Sequence, residues 1–430
     1  MIGSSLAILI AVLASSVPVG AALVMFALLL GWIHSPYPLV RAIGETSWGA
    51  SSEVLIVAVP MFILMGELML RSGVATRMYD AMVKWFSWLP GGLMHSNICA
   101  CTLFAATSGS SAATAATIST VSLPEMRRYG YNPSLFMGSL AAGGTLGILI
   151  PPSINMVVYG VLTSTSIPEL YLAGFIPGLL LAGLFMVTVL VSCLFRPQWG
   201  GRKVEVSWRE RFQALPSLLP PLGLFLLVVG TIYAGVATPT EAASFGVVAT
   251  MALALANGKL SISVMRAAFE GTIRSTAMIL LIFVGAFFLN FVISTIGLAR
   301  QITDLIAYLQ LSKLETMIAV VVFYLILGCF METMAMMITT IPIIEPIVRS
   351  MGYDPVWFGI IVIILVEAAM ITPPVGVNLY IVHGIRREGS LNQVIVGALP
   401  FVGAMIALIA ILIAYPDLAL WLPGLWKAMQ

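Results

Sequence analysis

Charge is what this chain has least of. Only 9% of its 430 residues are Asp, Glu, Lys or Arg, against about 25% in a soluble globular domain, so a surface facing water all round is excluded. The net charge of +2 and the lack of any basic tract exclude a nucleic-acid binder held by phosphate contacts. Histidine is nearly absent too: His34, His95 and His383 stand far apart without metal-ligand spacing. Four cysteines lie in apolar stretches, and the Cys99-x-Cys101 pair has no histidine or acid close by in sequence. They read as small core residues. No Gly-x-x-x-x-Gly-Lys-[Ser/Thr] loop occurs, so this chain does not draw energy from nucleotide hydrolysis. The segment Met1–Ile10 carries no basic residue before its apolar run. It reads as the start of a first span, not a cleaved leader.

What the chain has is hydrocarbon: 60% of residues are hydrophobic and mean hydropathy is +1.06. A spanning helix needs about 20 apolar residues, and roughly ten such runs are present. They fall near 2–33, 53–70, 92–124, 134–165, 169–195, 213–236, 240–257, 276–297, 314–345, 355–385 and 393–416. Short amphipathic pieces between them, Val74–Leu89, Leu260–Arg274 and Ala299–Leu311, suit the membrane surface. The cation cluster Arg196, Arg202, Lys203, Arg209 and Arg211 marks a cytoplasmic loop. Arg127, Arg128 and the Arg386–Arg387 loop then fall on the same side only if 92–124 and 314–345 enter the membrane and return. Both runs are longer than one span needs. Each carries a small or polar patch midway, Thr107–Ser111 and Glu332–Thr333, so both are expected to be re-entrant hairpins. The count places the N-terminus inside and the C-terminus outside.

The chain also repeats itself. Gly130-Tyr-Asn-Pro133 recurs as Gly352-Tyr-Asp-Pro355, and Ile150-Pro-Pro152 as Thr372-Pro-Pro374, each 222 residues on. The loop after the first Pro-Pro span, Thr163–Pro168, is uncharged, whereas the loop after the second holds Arg386, Arg387 and Glu388. Equivalent loops therefore lie on opposite sides, and the repeats are expected to be inverted. Inverted repeats with interrupted helices are the build of secondary transporters, with the site at the repeat interface.

Two prolines in succession remove two helix donors and unwind the helix at mid-membrane. The freed carbonyls must find a partner there. Hard cations such as sodium prefer oxygen ligands. A first sodium site is accordingly expected from Ser108, Gly109, Ser110 and Ser111 with carbonyls around Gly147–Pro151. A second is expected from Glu332 and Thr333 with carbonyls around Ala369–Thr372. Helix ends facing the gap favour a carboxylate, and Thr114, Ser153, Asn155 and Asn378 are the candidates to orient one. Acids inside a membrane are costly and mark function. Glu332 at a hairpin tip is the ligand candidate, and Glu367 is either a ligand or a protonated hydrogen-bonder. Glu67 reads simply as the partner of Arg71 one helical turn on.

Together these segments resemble the large membrane subunit of tripartite ATP-independent periplasmic (TRAP) transporters. The resemblance rests on Ser-Gly-Ser-Ser-Ala-Ala-Thr (108–114), Gly-Tyr-Asn-Pro (130–133), Gly-Ile-Leu-Ile-Pro-Pro-Ser (147–153), Met-Glu-Thr (331–333) and Ile-Thr-Pro-Pro-Val-Gly-Val-Asn (371–378). It spans nearly the whole chain, with Glu332 standing where an aspartate is common. It implies an all-α, polytopic, elevator-type carrier of the ion-transporter superfamily in the bacterial inner membrane, embedded in lipid. It also implies a separate small four-helix membrane subunit, a periplasmic substrate-binding protein and sodium-driven import of a small organic anion, a carboxylate or sulfonate. The chain divides into an N-terminal span and loop (1–50), a first repeat (51–200), a central basic loop with two spans and an amphipathic segment (201–274), a second repeat (275–420) and a tail (421–430). A stand-alone sodium–dicarboxylate carrier is the alternative within the same superfamily. An intramembrane serine protease lacks a base, since His95 lies only at the entrance to the hairpin run. A purely structural scaffold leaves two in-register helix breaks unaccounted for.

Overall fold

In hydrocarbon every backbone N–H and C=O must be satisfied within the chain, and the apolar runs accordingly become helices. A computed structural model describes residues 2–14, 17–202 and 204–429. Met1 of the segment Met1–Ile10, Ser15 and Ser16 of the first run, Lys203 of the basic loop and Gln430 of the tail lie outside the described residues. The helices are, in the first part, α1 (Ile2–Ala14), α2 (Val19–His34), α3 (Ile43–Ser51), α4 (Ala58–Arg71), α5 (Val74–Phe86), α6 (Gly92–Ser108), α7 (Ser111–Tyr129), α8 (Pro133–Leu149), α9 (Ile154–Thr163) and α10 (Ile167–Phe195). There follow α11 (Trp208–Ala214), α12 (Leu219–Tyr233), α13 (Pro239–Ala256), α14 (Ile262–Ile296), α15 (Leu298–Tyr308), α16 (Lys313–Gly328), α17 (Thr333–Ser350), α18 (Pro355–Ala369), α19 (Val377–Arg386), α20 (Leu391–Ala414) and α21 (Asp417–Met429). No strand occurs among the described residues. Among the described residues six helical stretches are long and apolar enough to cross a membrane, and the pair α8 and α9, bent by 43°, adds a seventh when taken as one span.

Two differences from the run pattern stand out. The run at 2–33 is two helices, because Pro18 stands at the N-cap of α2 and cannot continue α1. Leu260–Arg274 is no separate surface piece, since α14 runs unbroken for 35 residues from Ile262 to Ile296. The boundary set at 274/275 therefore falls inside a helix.

The recurring Gly-Tyr-x-Pro motif has a local cause. Gly130 adopts a left-handed φ of 68° that closes α7, and Gly352 does the same after α17 with φ 84°. The next polar residue then caps the following helix: Asn132 accepts from Leu135 N, and Asp354 from Val356 N and Trp357 N. Pro133 and Pro355 occupy the first helical position, where no donor is needed. The motif is a stop–start signal between a tip-bearing helix and a broken one.

The repetition extends to the elements around it. The helices α5 to α10 are followed, at close to the same offset, by α15 to α20. Packing is reciprocal: α2 lies on α14 while α13 lies on α4, and α7 lies on α19 while α17 lies on α9. At the centre stand α8 and α18, buried on all sides along almost their whole length, as expected of helices apolar all round.

Candidate functional site

Each tip is a helix end followed by a cap. In the first, α6 stops at Ser108, Gly109 turns the chain with φ 59°, and extended Ser110 accepts from Ala113 N (3.4 Å) to start α7. The turn is braced by the Thr114 hydroxyl, 2.9 Å from Ser108 Oγ and donating to the Ser110 carbonyl at 2.8 Å. In the second, Glu332 caps α17, one carboxylate oxygen accepting from Met334 N (2.9 Å) and Ala335 N (3.1 Å). Ser110 and Glu332 lie 222 residues apart and do the same backbone job. The Thr333 hydroxyl donates to the Met370 sulfur at 2.7 Å.

The two breaks are alike in sequence and unlike in their hydrogen bonding. Pro151 and Pro152 stand where the donors to the Gly147 and Ile148 carbonyls would be, and proline has no N–H. Among the described residues neither carbonyl receives a hydrogen bond. In the second break Pro373 and Pro374 leave the Ala369 and Met370 carbonyls in the same position. There Thr372 N reaches Ala369 O (3.4 Å), Asn378 N reaches Met370 O (3.0 Å), and Val375 N reaches Cys329 O in the tip (3.3 Å). The first break is open and the second is closed. The first tip presses against the open one: a Cβ on Gly147 would come 2.8 Å from the Ser110 carbonyl, and one on Gly109 2.9 Å from the Pro152 carbonyl. The serine hydroxyls and backbone of the tip and the uncommitted carbonyls of the break are all oxygen donors, the kind that a hard monovalent cation could use.

Both tips and the first break meet at a cavity of about 190 Å³. Ser108, Gly109, Ser110 and Ser111 line it from the first repeat, Glu332, Thr333 and Met370 from the second, and Asn155 from α9. Asn155 is 3% exposed and its Nδ2 has no hydrogen-bond partner. The other expected residues sit behind this lining. Asn378 spends both amide hydrogens on Ser111 Oγ (2.8 Å) and the Ala141 carbonyl (3.0 Å), which ties α19 to the first tip and to α8. Its Oδ1 is left buried and unpartnered. Thr114 is fully buried in the tip, and Ser153 caps α9 by accepting from Met156 N. Pro151 is buried at the open break. Ala369 packs against Gly328, where a Cβ would come within 2.6 Å of the alanine methyl. The Thr372 hydroxyl donates to the Ala368 carbonyl at 2.7 Å. Glu367 is fully buried beside the Leu149 backbone, and among the described residues neither carboxyl oxygen has a partner at full hydrogen-bond geometry.

The opposite wall was not anticipated from the sequence. It is formed by Ile63, Gly66 and Glu67 of α4 with Ser275, Met278 and Ile279 of α14. Glu67 pairs with Arg71 as its spacing suggests, yet it also faces the cavity. The available signal was its place on an otherwise apolar span, one residue after a glycine that approaches the first tip. A Cβ on Gly66 would come 2.7 Å from the Ser108 carbonyl.

Apolar helices long enough to cross a membrane, with interrupted helices gathered round one central polar cavity, make this a multi-pass membrane transport protein. The sequence model of the "Tripartite ATP-independent periplasmic transporter, DctM component" matches residues 6–418, and the chain belongs to that family. Among relatives, the C4-dicarboxylate TRAP transporter large permease protein DctM of Pseudomonas aeruginosa is 34% identical, over 91% of each chain. The ectoine TRAP transporter large permease protein TeaC of Halomonas elongata is 32% identical, over 86% of each. The crystal structure of the Alcanivorax borkumensis YdaH transporter shares the fold, with TM-score 0.65 and 15% identity over 95% of this chain and 97% of that one. The chain is thus a large permease of the inner membrane, a transporter subunit and not an enzyme.

Proposed function

We propose that this chain is the membrane-crossing part of a sodium-coupled importer of a small organic anion. One observation carries the reading: two tips at equivalent places in the repeats converge, beside an open helix break, on a single cavity whose lining holds serine and threonine residues and an Asn155 amide unpartnered among the described residues. Sodium binds between Ser108, Ser110, Ser111 and the Gly147 and Ile148 carbonyls, and a second ion engages the Glu332–Thr333 tip. The closed carbonyls of the second break make that second site depend more on the carboxylate than on the backbone. The anion is held by Asn155 and by the helix ends at the tips, where the dipole favours negative charge.

The solute reaches the chain from a periplasmic binding protein, and a small four-helix membrane subunit completes the assembly. Relatives named for C4-dicarboxylates, ectoine, sialic acid and isethionate support a small solute bearing a carboxylate or a sulfonate. The two repeats are inverted in the membrane. Tips and broken helices travel as one body against α2, α4, α13 and α14, in an elevator motion.

Uptake of a radiolabelled anion panel into proteoliposomes tests this reading. The vesicles hold the chain, its small subunit and its binding protein under an inward sodium gradient, with each component omitted in turn. Uptake that needs sodium and all three parts is the expected result. Uptake by the chain alone replaces the reading with a stand-alone carrier, and uptake indifferent to sodium removes the coupling ion.

A further inference from the structure

The wall of the cavity holds two carboxylates, Glu67 and Glu332, and among the described residues no lysine, arginine or histidine. An anion inside it meets hydroxyls and amides but no full positive charge. On α4 the lining residues Ile63, Gly66 and Glu67 follow the spacing i, i+3, i+4, so the same helix face continues one turn on at Arg71. That puts Arg71 at the rim of the cavity.

Arg71 is only partly engaged. Its Nη1 donates to the Glu67 carboxylate and, at 2.9 Å, to the Glu67 carbonyl. A guanidinium carries five N–H donors, and among the described residues Nε and Nη2 have no hydrogen-bond partner. The side chains of Arg71 and Glu67 are 28% and 23% exposed, so the pair is not sealed inside the helix packing. Glu67 in turn is fixed from behind: a Cβ on Gly271 of α14 would come 2.8 Å from its carboxyl carbon. An i,i+4 pair on a wet helix surface needs no further explanation. This pair closes a membrane span, Val54–Arg71, and its carboxylate partner Glu67 lies a turn inside that span and lines the cavity.

We propose that Arg71 is the anion-contacting residue at the mouth of the cavity, on the cytoplasmic side by the charge count above. Its Nε and Nη2 take a carboxylate of the solute side-on, while Glu67 is a positioning residue that holds Nη1 and aims the fork. A side-on guanidinium matches the two oxygens of a carboxylate, a match that a lysine ammonium lacks. The inference rests on the organic-anion reading above and narrows it to solutes with a free carboxylate at the leading end.

Arginine modification by phenylglyoxal, resolved by peptide mass spectrometry on the full chain in lipid nanodiscs, tests it without any transport step. Arg71 should react from the aqueous phase, and succinate or acetate should slow that reaction severalfold while leaving the exposed Arg266 unaffected. Chloride at equal ionic strength should not protect. In E67Q, with Nη1 released, Arg71 should react faster. An unreactive Arg71, equal protection by chloride, or no protection by either carboxylate overturns the proposal even if sodium-driven uptake is found. Nanodiscs expose both faces, so R71K should bind the protecting carboxylate roughly tenfold more weakly than the parent with an unchanged melting temperature, the signature of a lost bidentate contact. A lowered melting temperature with unchanged binding would assign Arg71 a structural role instead.

Discussion

At the scale of single residues, the site is held by caps and braces as much as by candidate ligands. Asn378 is the clearest case, since its side-chain amide links the first tip to the middle of α8 across the repeat seam. Removing it leaves the buried Ala141 carbonyl without that donor, at a cost of about 1–3 kcal/mol. N378A is therefore expected to unfold at lower temperature than the parent chain, and an unchanged melting curve would show the brace to be dispensable. Ser110 and Glu332 invite a paired comparison. S110A removes the acceptor for Ala113 N and should cost about 1 kcal/mol, as lost N-caps do. E332Q keeps an acceptor at the cap and removes the charge, so its stability should fall less than that of S110A. Its sodium requirement for uptake should shift to higher concentration. Equal sodium curves for E332Q and the parent would take Glu332 out of the second ion site.

At the scale of elements, the sequence was most legible where punctuation is chemical. Gly-Tyr-x-Pro and Pro-Pro each impose a local geometry that the surroundings do not override, and α7 through α9 and α17 through α19 fall where those motifs put them. The caps support a quantitative expectation: N132A and D354A should each lose about 1 kcal/mol. Their losses should add in the double variant, because the two caps share no hydrogen-bond partner. Strong non-additivity in thermal unfolding would mean the two stop–start signals are coupled. Hydropathy alone was less informative. The charges of Leu260–Arg274 suggested a separate surface piece, but charge on one face does not end a helix. No proline follows before Ile296, so α14 continues. The site was legible to the same extent. Tips and breaks announce themselves, whereas Glu67 was concealed by the ordinary i,i+4 pairing that it does make. Which helix face looks inward depends on packing partners far away in sequence, here α14 against α4.

At the scale of the whole molecule, the reciprocal packing of α2 on α14 and of α13 on α4 gives the chain a frame in which a helix of each repeat is paired with a helix from outside the repeats. The cavity lies where that frame, through α4 and α14, faces the tips. If tips and broken helices move together past the frame, the approach of Gly66 to Ser108 is a sliding contact. It is tight enough to trap. A Cβ on Gly66 would lie 3.5 Å from Ser108 Cα, which suits the separation of about 4.4–6.8 Å between the Cα atoms of a disulfide. A chain with Cys99, Cys101, Cys193 and Cys329 replaced, and carrying G66C with S108C, should oxidise in this state once the tip yields to a Cβ that would stand 2.7 Å from the Ser108 carbonyl. Oxidation should stop uptake in the complete reconstituted transporter, and a reductant should restore the level that the reduced double variant shows. The reduced variant is the reference because S108C alters a candidate sodium ligand. Equal uptake before and after a crosslink verified by mass spectrometry would mean that the first tip does not leave α4 during transport. The moving boundary would then lie elsewhere, with α4 travelling alongside the tips and the frame reduced to the helices outside it.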